Sequence, residues 1–179
     1  RAHRAEGRAA VVVSDTVFSM DGDIAPLRAL RNLADRYDAG LVVDEAHALG
    51  VLGPAGRGLC REQSVVPDAL VGTLGKSFGL SGAFVAGSEA LVRLIENCAR
   101  SYVFSTAPPP ALAAALPTAL ALATDARRAT VLGHASRVRS ELPRRTRLHP
   151  LPGPSPIIPV VIGEPEQVRL VVDRVALAA

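Results

Sequence analysis

The sequence predicts an α/β protein in which a mostly parallel sheet is flanked by helices. Short apolar runs alternate with stretches of helical periodicity along the 179-residue chain, which is typical of parallel strands joined by helices. The runs are continuous and rich in β-branched residues, as in strands that are buried on both faces. Apolar residues make up 49% of the chain and charged residues 21%, which is ordinary for a globular protein.

The first part of the chain supplies three strands and one helix. The predicted strands are AAVVVS (residues 9–14), LVVDEAH (residues 41–47) and ALVGT (residues 69–73). Between the first two, Pro26 suits the first turn of a helix that runs to about Tyr37 and ends before Gly40. A glycine-rich loop is predicted over residues 50–58. Acidic residues stand at the carboxyl end of the second strand, where α/β sheets place their chemistry.

The remainder is predicted to be mainly helical. Ser88 caps a helix that runs to about Arg100. A second helix follows the three prolines at residues 108–110, and Pro117 must kink or interrupt it. An Arg-rich helix then ends near Glu141. Strands are predicted at residues 82–87, 102–106 and 157–163, and a last helix at residues 165–177.

Prolines divide the chain. Six lie between positions 143 and 159: Pro143, Pro150, Pro152, Pro154, Pro156 and Pro159. We therefore expect residues 1–142 to be part of a large domain, residues 143–156 to be a Pro-rich linker, and residues 157–179 to start a small α+β C-terminal domain. The chain begins at Arg1 rather than Met, so we expect the sequence to be a fragment of a longer one.

Composition argues against several classes of partner. The net charge is +3, but aromatic residues make up only 3% of the chain, too few for stacking on bases. No nucleic-acid partner is expected, and the densest arginine cluster is interpreted as a solvated helix face. Cys60 and Cys98 lack metal-binding spacing and fit a reducing, cytoplasmic compartment. No apolar run reaches transmembrane length and no signal peptide is visible, so no membrane partner is expected.

Lys76 is the only lysine among 20 basic residues. Arginine keeps its proton, whereas lysine can lose it and attack a carbonyl carbon. A chain that uses arginine elsewhere and retains one lysine between glycines is interpreted as needing an amine there. The alternative on composition alone is codon bias with one surface lysine left over.

Gly75-Lys76-Ser77 also resembles part of a nucleotide-phosphate loop, an interpretation that fails on three grounds. The motif requires a glycine five residues before Gly75, and position 70 is leucine. The acidic strand precedes the lysine instead of following it. The lysine is followed by a short glycine-containing loop and another strand, not by a long helix.

An imine-forming lysine needs a carbonyl partner, commonly pyridoxal 5'-phosphate. Asp44, at a strand end, can face the cofactor's ring nitrogen, His47 its ring hydroxyl, and Thr73 its phosphate. Three neighbouring strand ends would bring Ser19, Asp44 and Lys76 to one crevice. Taken singly, each has a plain structural explanation, as a loop cap, a surface imidazole or a strand-end residue.

Three segments resemble the α-oxoamine synthases, pyridoxal-phosphate enzymes of the fold-type I, class-II aminotransferase-like superfamily. They are FSMDGD, LVVDEAHALGVLGPAGRG and TLGKSFGLSGAFVAGS, and the resemblance covers nearly the whole chain. It implies the large domain of that fold and the start of its small domain. It also implies a homodimer with active sites at the interface, and a decarboxylating condensation of an amino acid, alanine, with an acyl-CoA.

The resemblance also implies roles for single residues. Lys76 would form an imine with the cofactor and later act as the base. Asp44 would pair with the pyridinium nitrogen and His47 would contact the ring oxygen. Ser19 and Thr73 would contact the cofactor.

The chain departs from the family pattern at several places. Pro117 is unusual in its helix, and Ala48 stands where many members have glycine. Members carry a glycine-containing phosphate turn and a ring-stacking histidine upstream, outside these 179 residues, so this chain alone is not expected to turn over. A non-catalytic piece that serves as an interaction subunit is the alternative. Ser105 and Thr106 resemble a segment that reaches the phosphate bound in the partner subunit.

Overall fold

The computed structural model of the protein describes residues 9–178, which form a four-stranded sheet and seven α-helices. The strands are β1 (Val11–Asp15), β2 (Gly40–Asp44), β3 (Ala69–Thr73) and β4 (Ala83–Gly87). The helices are α1 (Leu27–Arg36), α2 (Gly58–Glu62), α3 (Glu89–Cys98), α4 (Arg100–Val103), α5 (Pro110–Leu122), α6 (Asp125–Arg145) and α7 (Pro165–Ala178). A 3-10 turn spans Pro54–Gly56.

The sheet has the strand order β1-β2-β3-β4. The first three strands are parallel, and β4 is antiparallel to β3. Parallel strands need a crossover of about a dozen residues or more, whereas residues 74–82 form a short loop closed by the hydrogen bond from Leu74 N–H to the Gly82 carbonyl (2.9 Å). The predicted mostly parallel α/β sheet is confirmed, and β1, β2 and β3 end at the same edge.

The hydrophobic core lies between α1, β2 and α2. Leu27 of α1, Leu41 and Val43 of β2, and Leu59 of α2 are buried, and the core cluster is drawn from residues 17–65. Burial of one such side chain contributes about 1.5–3 kcal/mol. The end of β2, which carries Asp44, therefore rests on a well-packed strand, whereas Val11 and Val13 of β1 are exposed.

The strand predicted at residues 102–106 is wrong. Residues Arg100–Val103 form α4, in which the Val103 N–H donates to the Ala99 carbonyl over 2.9 Å. A strand needs a neighbour for its backbone groups, and in the described part of the chain this segment has none. It pairs its backbone locally instead.

The strand predicted at residues 157–163 is also wrong. The described chain there contains one isolated bridge, between Pro150 and Val160, next to a 2.8 Å hydrogen bond from Leu151 N–H to the Pro159 carbonyl. Proline has no N–H to donate to a sheet, so a ladder cannot continue. Two other predictions differ in extent: LVVDEAH leaves the sheet after Asp44, and the glycine-rich loop leads directly into α2 at Gly58.

The Pro-rich segment packs against the turn after β1 and against α6. Arg139 Nη2 donates to the carbonyls of Ser155 (2.6 Å) and Ile157 (2.5 Å), and the buried Ser155 hydroxyl donates to the Gly22 carbonyl (2.8 Å). The division into domains stays a prediction, and its residues 1–8 and 179 lie outside the described range. From residue 9 to 178, no helix is both long and apolar enough to cross a bilayer.

Candidate active site

The candidate site lies at the carboxyl edge of the three parallel strands. In the strand register Asp15 of β1 is paired with Asp44 of β2, and Asp44 with Val71 of β3. The chain leaves β2 into a turn that carries His47, and it leaves β3 into a loop that carries Lys76. Adjacent parallel strands thus bring two carboxylates, an imidazole and an amine to one edge.

Lys76 and His47 are in direct contact. The distance from Lys76 Nζ to His47 Nε2 is 2.8 Å. Burial and then the Lys76 charge lower the pKa of His47, while the Asp15 and Asp44 charges oppose this. A neutral imidazole nitrogen can accept a hydrogen bond from an ammonium group, so a neutral His47 suits this contact.

The turn that carries His47 is fixed at both ends. At its start, the Glu45 carbonyl accepts hydrogen bonds from the N–H groups of Ala48 and Leu49, both at 2.9 Å. At its end, the Ser77 hydroxyl donates to the Leu49 carbonyl over 2.6 Å. The turn is therefore tied directly to the loop that carries Lys76.

Asp44 begins the same region. Its Oδ1 accepts a 2.6 Å hydrogen bond from the backbone N–H of Ala46, a pattern by which an aspartate stabilises a turn two residues on. One carboxylate oxygen thus orients the side chain at the strand end.

Thr73 closes the loop that carries Lys76. Its hydroxyl donates to the Gly82 carbonyl and accepts from the Gly75 N–H, both at 3.2 Å. The structure therefore gives Thr73 a role in shaping this loop, beside the cofactor contact that the sequence predicted.

Ser19 lies at the end of the neighbouring strand. It is exposed and lines a cleft of about 400 Å³ together with Asp15, Phe18 and the residues of the following turn. Within residues 9–178, Ser19 makes no hydrogen bond to Asp44, His47 or Lys76. The structure thus groups those three residues and places Ser19 one strand away.

A largely apolar cavity of about 600 Å³ opens beside Lys76. It lies between the lysine loop and the helices α5 and α6. Its apolar walls include Leu80, Ala119, Leu122 and Val131. The sequence predicted both helices, but their packing over the loop is a long-range contact that local patterns do not encode.

Glu45 is a site-adjacent residue to which sequence reasoning gave no role. It is fully buried, and its carboxylate accepts hydrogen bonds from the N–H groups of Leu59 and Cys60 and from the Thr16 hydroxyl. A signal was present in the sequence: alternate residues of a strand share a face, which places Glu45 in line with the buried Leu41 and Val43.

Comparisons with known proteins agree with this fold. The family model described as aminotransferase class I and II matches residues 1–178. An 8-amino-7-oxononanoate synthase from Aromatoleum aromaticum is 48% identical over 161 residues, which cover 88% of this chain and 42% of the relative. The chain therefore spans less than half the length of that curated relative.

Two solved structures are similar in fold. A serine palmitoyltransferase from S. paucimobilis, in a variant with a bound PLP–myriocin aldimine, has a TM-score of 0.79 at 30% identity, with 91% of this chain and 45% of that one covered. An 8-amino-7-oxononanoate synthase from Francisella tularensis has a TM-score of 0.77 at 28% identity, with 97% and 52% covered. The fold-type I prediction is confirmed, and the chain belongs to the class I and II aminotransferase family, within which it is similar to α-oxoamine synthases.

Proposed function

We propose that this chain is part of a pyridoxal-phosphate-dependent acyltransferase. The enzyme condenses L-alanine with pimeloyl-CoA, releases carbon dioxide and CoA, and forms 8-amino-7-oxononanoate for biotin biosynthesis. The observation that carries the proposal is the Lys76 amine 2.8 Å from His47 Nε2, at the sheet edge where Asp44 ends β2. The synthases that are 46–49% identical to this chain support the choice of substrates.

The residues at the sheet edge fit pyridoxal phosphate. They offer a primary amine for an aldehyde, carboxylates on two adjacent strand ends for a cationic ring nitrogen, and an imidazole for a ring oxygen. When bound, the cofactor supplies that aldehyde and an electron-withdrawing ring that stabilises a carbanion.

Lys76 has two tasks in this proposal. Its amine would hold the cofactor by bonding to the aldehyde carbon, with the aldehyde oxygen leaving as water, and, once an amino acid has displaced it, the amine would take up the substrate's α-proton. Both tasks need the unprotonated amine. Burial and the Lys76 charge lower the pKa of His47. The neutral imidazole can therefore accept a hydrogen bond from the Lys76 amine while that amine holds the proton.

Asp44 keeps a proton on the ring nitrogen in this proposal. The hydrogen bond from Ala46 N–H to Oδ1 holds its carboxylate in place. An opposite charge nearby favours the protonated ring. Ser19 and Thr73 are proposed cofactor contacts, Thr73 in addition to its bonds within the lysine loop.

The cavity beside Lys76 supports an acyl substrate. Its volume of about 600 Å³ and its apolar walls suit a hydrocarbon chain, and Arg127 and Arg128, which also line it, offer cations for an acidic group of the substrate.

The second candidate is a sister enzyme with the same chemistry, favoured by the fold similarity to serine palmitoyltransferase. The sister reactions are those of serine palmitoyltransferase, 2-amino-3-ketobutyrate CoA ligase and 5-aminolevulinate synthase. Product analysis with alanine, glycine and serine as amino acids separates them.

We further propose a homodimer in the cytoplasm. The consecutive residues Tyr102, Val103 and Phe104 are 60%, 46% and 76% exposed, and contiguous exposed apolar side chains are typical of surfaces that pack against other protein. Cys60 and Cys98 are free thiols, which suits a reducing compartment. The alternative, a non-catalytic interaction subunit, predicts no cofactor absorbance.

Lys76→Arg in the full-length protein tests the proposal. We expect the visible absorbance of the lysine-bound cofactor to disappear and turnover to fall by at least about 10²- to 10⁴-fold, since a general base is lost as well as the covalent link. The double variant Lys76→Arg/Arg61→Lys restores a lysine at an exposed position outside the site and should stay inactive. Unchanged absorbance and turnover in Lys76→Arg would refute the role of Lys76.

A further inference from the structure

Glu45 is a buried carboxylate that the proposed mechanism does not use. It is 0% exposed, follows Asp44 directly and precedes His47 by two residues. Buried carboxylates are costly unless they are hydrogen-bonded, so the partners of Glu45 indicate what it does.

Three donors surround the Glu45 carboxylate. Oε1 accepts from the Cys60 N–H (2.6 Å), and Oε2 accepts from the Leu59 N–H (3.0 Å) and from the Thr16 hydroxyl (3.2 Å), which Oε2 shares with the Asp44 carbonyl (3.1 Å). Gly58 lies against the same oxygens at a φ of +84°, and a Cβ there would be 2.6 Å from Oε2. The carboxylate therefore occupies a fitted space between the start of α2 and the end of β1.

The backbone of Glu45 starts the turn that carries His47. Its N–H donates to the Val71 carbonyl of β3 over 2.9 Å, and its carbonyl accepts from Ala48 and Leu49. Both the side chain and the main chain of Glu45 are thus anchored where this turn begins. The far end is held to the lysine loop by the bond from Ser77 to Leu49.

We propose that Glu45 is a positioning residue whose buried carboxylate, acting through the turn of residues 45–49, sets the contact between His47 and Lys76. The inference deepens the proposed function, on which it rests for the roles of His47 and Lys76. A purely structural Glu45 would stabilise the fold without affecting the environment of His47.

Glu45→Gln isolates this effect because it nearly preserves side-chain shape. One oxygen becomes an NH₂ group, which would face the N–H of Leu59 or Cys60 as a second donor. Two opposed buried donors are unfavourable, so we expect the turn to shift and the His47 ring to move away from Lys76.

The titration of His47 in the cofactor-free, full-length protein reads out this movement. Burial and the Lys76 charge lower the pKa of His47 below 6.5, while Asp15 and Asp44 raise it. A ring that is less buried and farther from Lys76 loses both lowering effects. We expect Glu45→Gln to raise the NMR-detected midpoint of His47 from its lowered position towards the ordinary value of a histidine. A folded Glu45→Gln protein with the wild-type midpoint would overturn the proposal.

Matched variants control the measurement. Glu62→Gln makes the same change at an exposed position on α2 and should leave the His47 midpoint unchanged. Thr16→Val removes a hydroxyl that contacts both Glu45 Oε2 (3.2 Å) and the Asp44 carbonyl (3.1 Å), while that carbonyl keeps its 2.8 Å bond from the Thr16 N–H. It should move the midpoint in the same direction by less, whereas Thr16→Ser keeps the hydroxyl and should leave the midpoint at the wild-type position. If Glu45→Gln does not fold, the Thr16 pair decides: equal midpoints in Thr16→Val and Thr16→Ser would refute the inference.

Turnover of the loaded enzyme provides a second readout. We expect Glu45→Gln to lower kcat about tenfold, within the range caused by small misplacements of catalytic groups. The same substitution in a His47→Ala background should have little further effect, because residues that act through one another are not additive. Wild-type protein without cofactor absorbance or product would refute the proposed function, while the His47 titration would still test the role of Glu45.

Discussion

Residues 9–73 and residues 83–178 bury their apolar side chains to very different extents. In the first region Leu27 and Leu41 are 0% exposed, and the core cluster is drawn from residues 17–65. In the second region the buried side chains among the described residues are those of Ala135 and Ser155, while Leu120 is 51% exposed. The first region therefore supplies its own core, whereas the second has apolar surface that further protein can cover.

Because of this difference, the acidic side of the site and the lysine side of the site are held by different parts of the chain. Asp44 and Glu45 have their hydrogen-bond partners within residues 16–71, whereas the His47 ring contacts Lys76 outside that range. Lys76 lies on the loop between the two regions, and the cavity beside it is lined by α5 and α6. The carboxylate geometry is thus set within the first region, the imidazole is also held by the lysine loop, and the cavity depends on the packing of the second region.

The largest expected effect is a difference between two leucine truncations in the full-length protein. Leu41→Ala should lower the free energy of unfolding by about 2–5 kcal/mol, since it leaves a cavity in a packed core. Leu120→Ala removes a half-exposed side chain and should cost about 1 kcal/mol or less. Urea unfolding measures both. An equal cost for Leu120→Ala would break the comparison, because it would show that the α5 surface is buried in the assembled protein.

A pair of glycine substitutions sharpens the comparison with effects of opposite sign. Gly58 has a φ of +84° and lies against the Glu45 carboxylate, whereas Gly133 lies inside α6 with open space around it. Gly58→Ala should destabilise by about 1–3 kcal/mol, through left-handed strain. Gly133→Ala should stabilise by about 0.5–1 kcal/mol, because alanine loses less backbone freedom in a helix. Thermal unfolding gives both signs, and stabilisation by Gly58→Ala would contradict the tight packing around Glu45.

The smallest effect concerns ion pairs and pH. The Arg31 guanidinium and the Leu41 N–H lower the pKa of the exposed Asp68, and the Arg31 side chain is only 19% exposed, whereas both members of the Glu89–Arg93 pair are largely exposed. Because the pKa of Asp68 is lower in the folded protein than in the unfolded chain, its carboxylate stabilises the folded state at any pH above the unfolded-state pKa. This stabilisation is lost as the pH falls through the folded-state pKa. Asp68→Asn should therefore cost about 1 kcal/mol or less at pH 7. Its difference from wild type should vanish in acid.

Glu89→Gln is the matched control for that measurement. An exposed pair contributes little, so its free energy of unfolding should stay within about 0.5 kcal/mol of wild type at every pH. If Glu89→Gln lowered the free energy of unfolding as much as Asp68→Asn does, the two regions would not differ in the strength of their ion pairs.

The strands of the packed region were predictable because their signal is local. Continuous apolar runs at residues 11–13, 41–43 and 69–71 predict parallel strands, and the structure has β1, β2 and β3 there, although Val11 and Val13 of β1 are exposed rather than buried. The same signal misled at residues 102–106, where Tyr102, Val103 and Phe104 have strand propensity but no neighbouring strand among the described residues. Strand propensity is decided by the partner, which a local pattern cannot supply.

The chemistry of the site was predictable to a similar degree. Lys76, Asp44 and His47 were identified because a solitary amine, a strand-end carboxylate and a following imidazole are unusual together. The role proposed for Glu45 could not be predicted from the sequence, because its hydrogen-bond donors come from residues 16, 59 and 60 and meet it only in the folded chain. The contact between Lys76 and His47 likewise joins residues 29 positions apart.

The hydrogen bond from the Ser155 hydroxyl to the Gly22 carbonyl joins points 133 residues apart. Closing so long a loop costs chain entropy, and this cost is smaller once other contacts have brought the two ends close together. We therefore expect this bond to form late in folding, after α6 has placed Arg139 against residues 155 and 157. The turn that holds Ser19 would then acquire its final shape only once most of the described chain is in place, so that partly folded molecules would lack a finished binding edge.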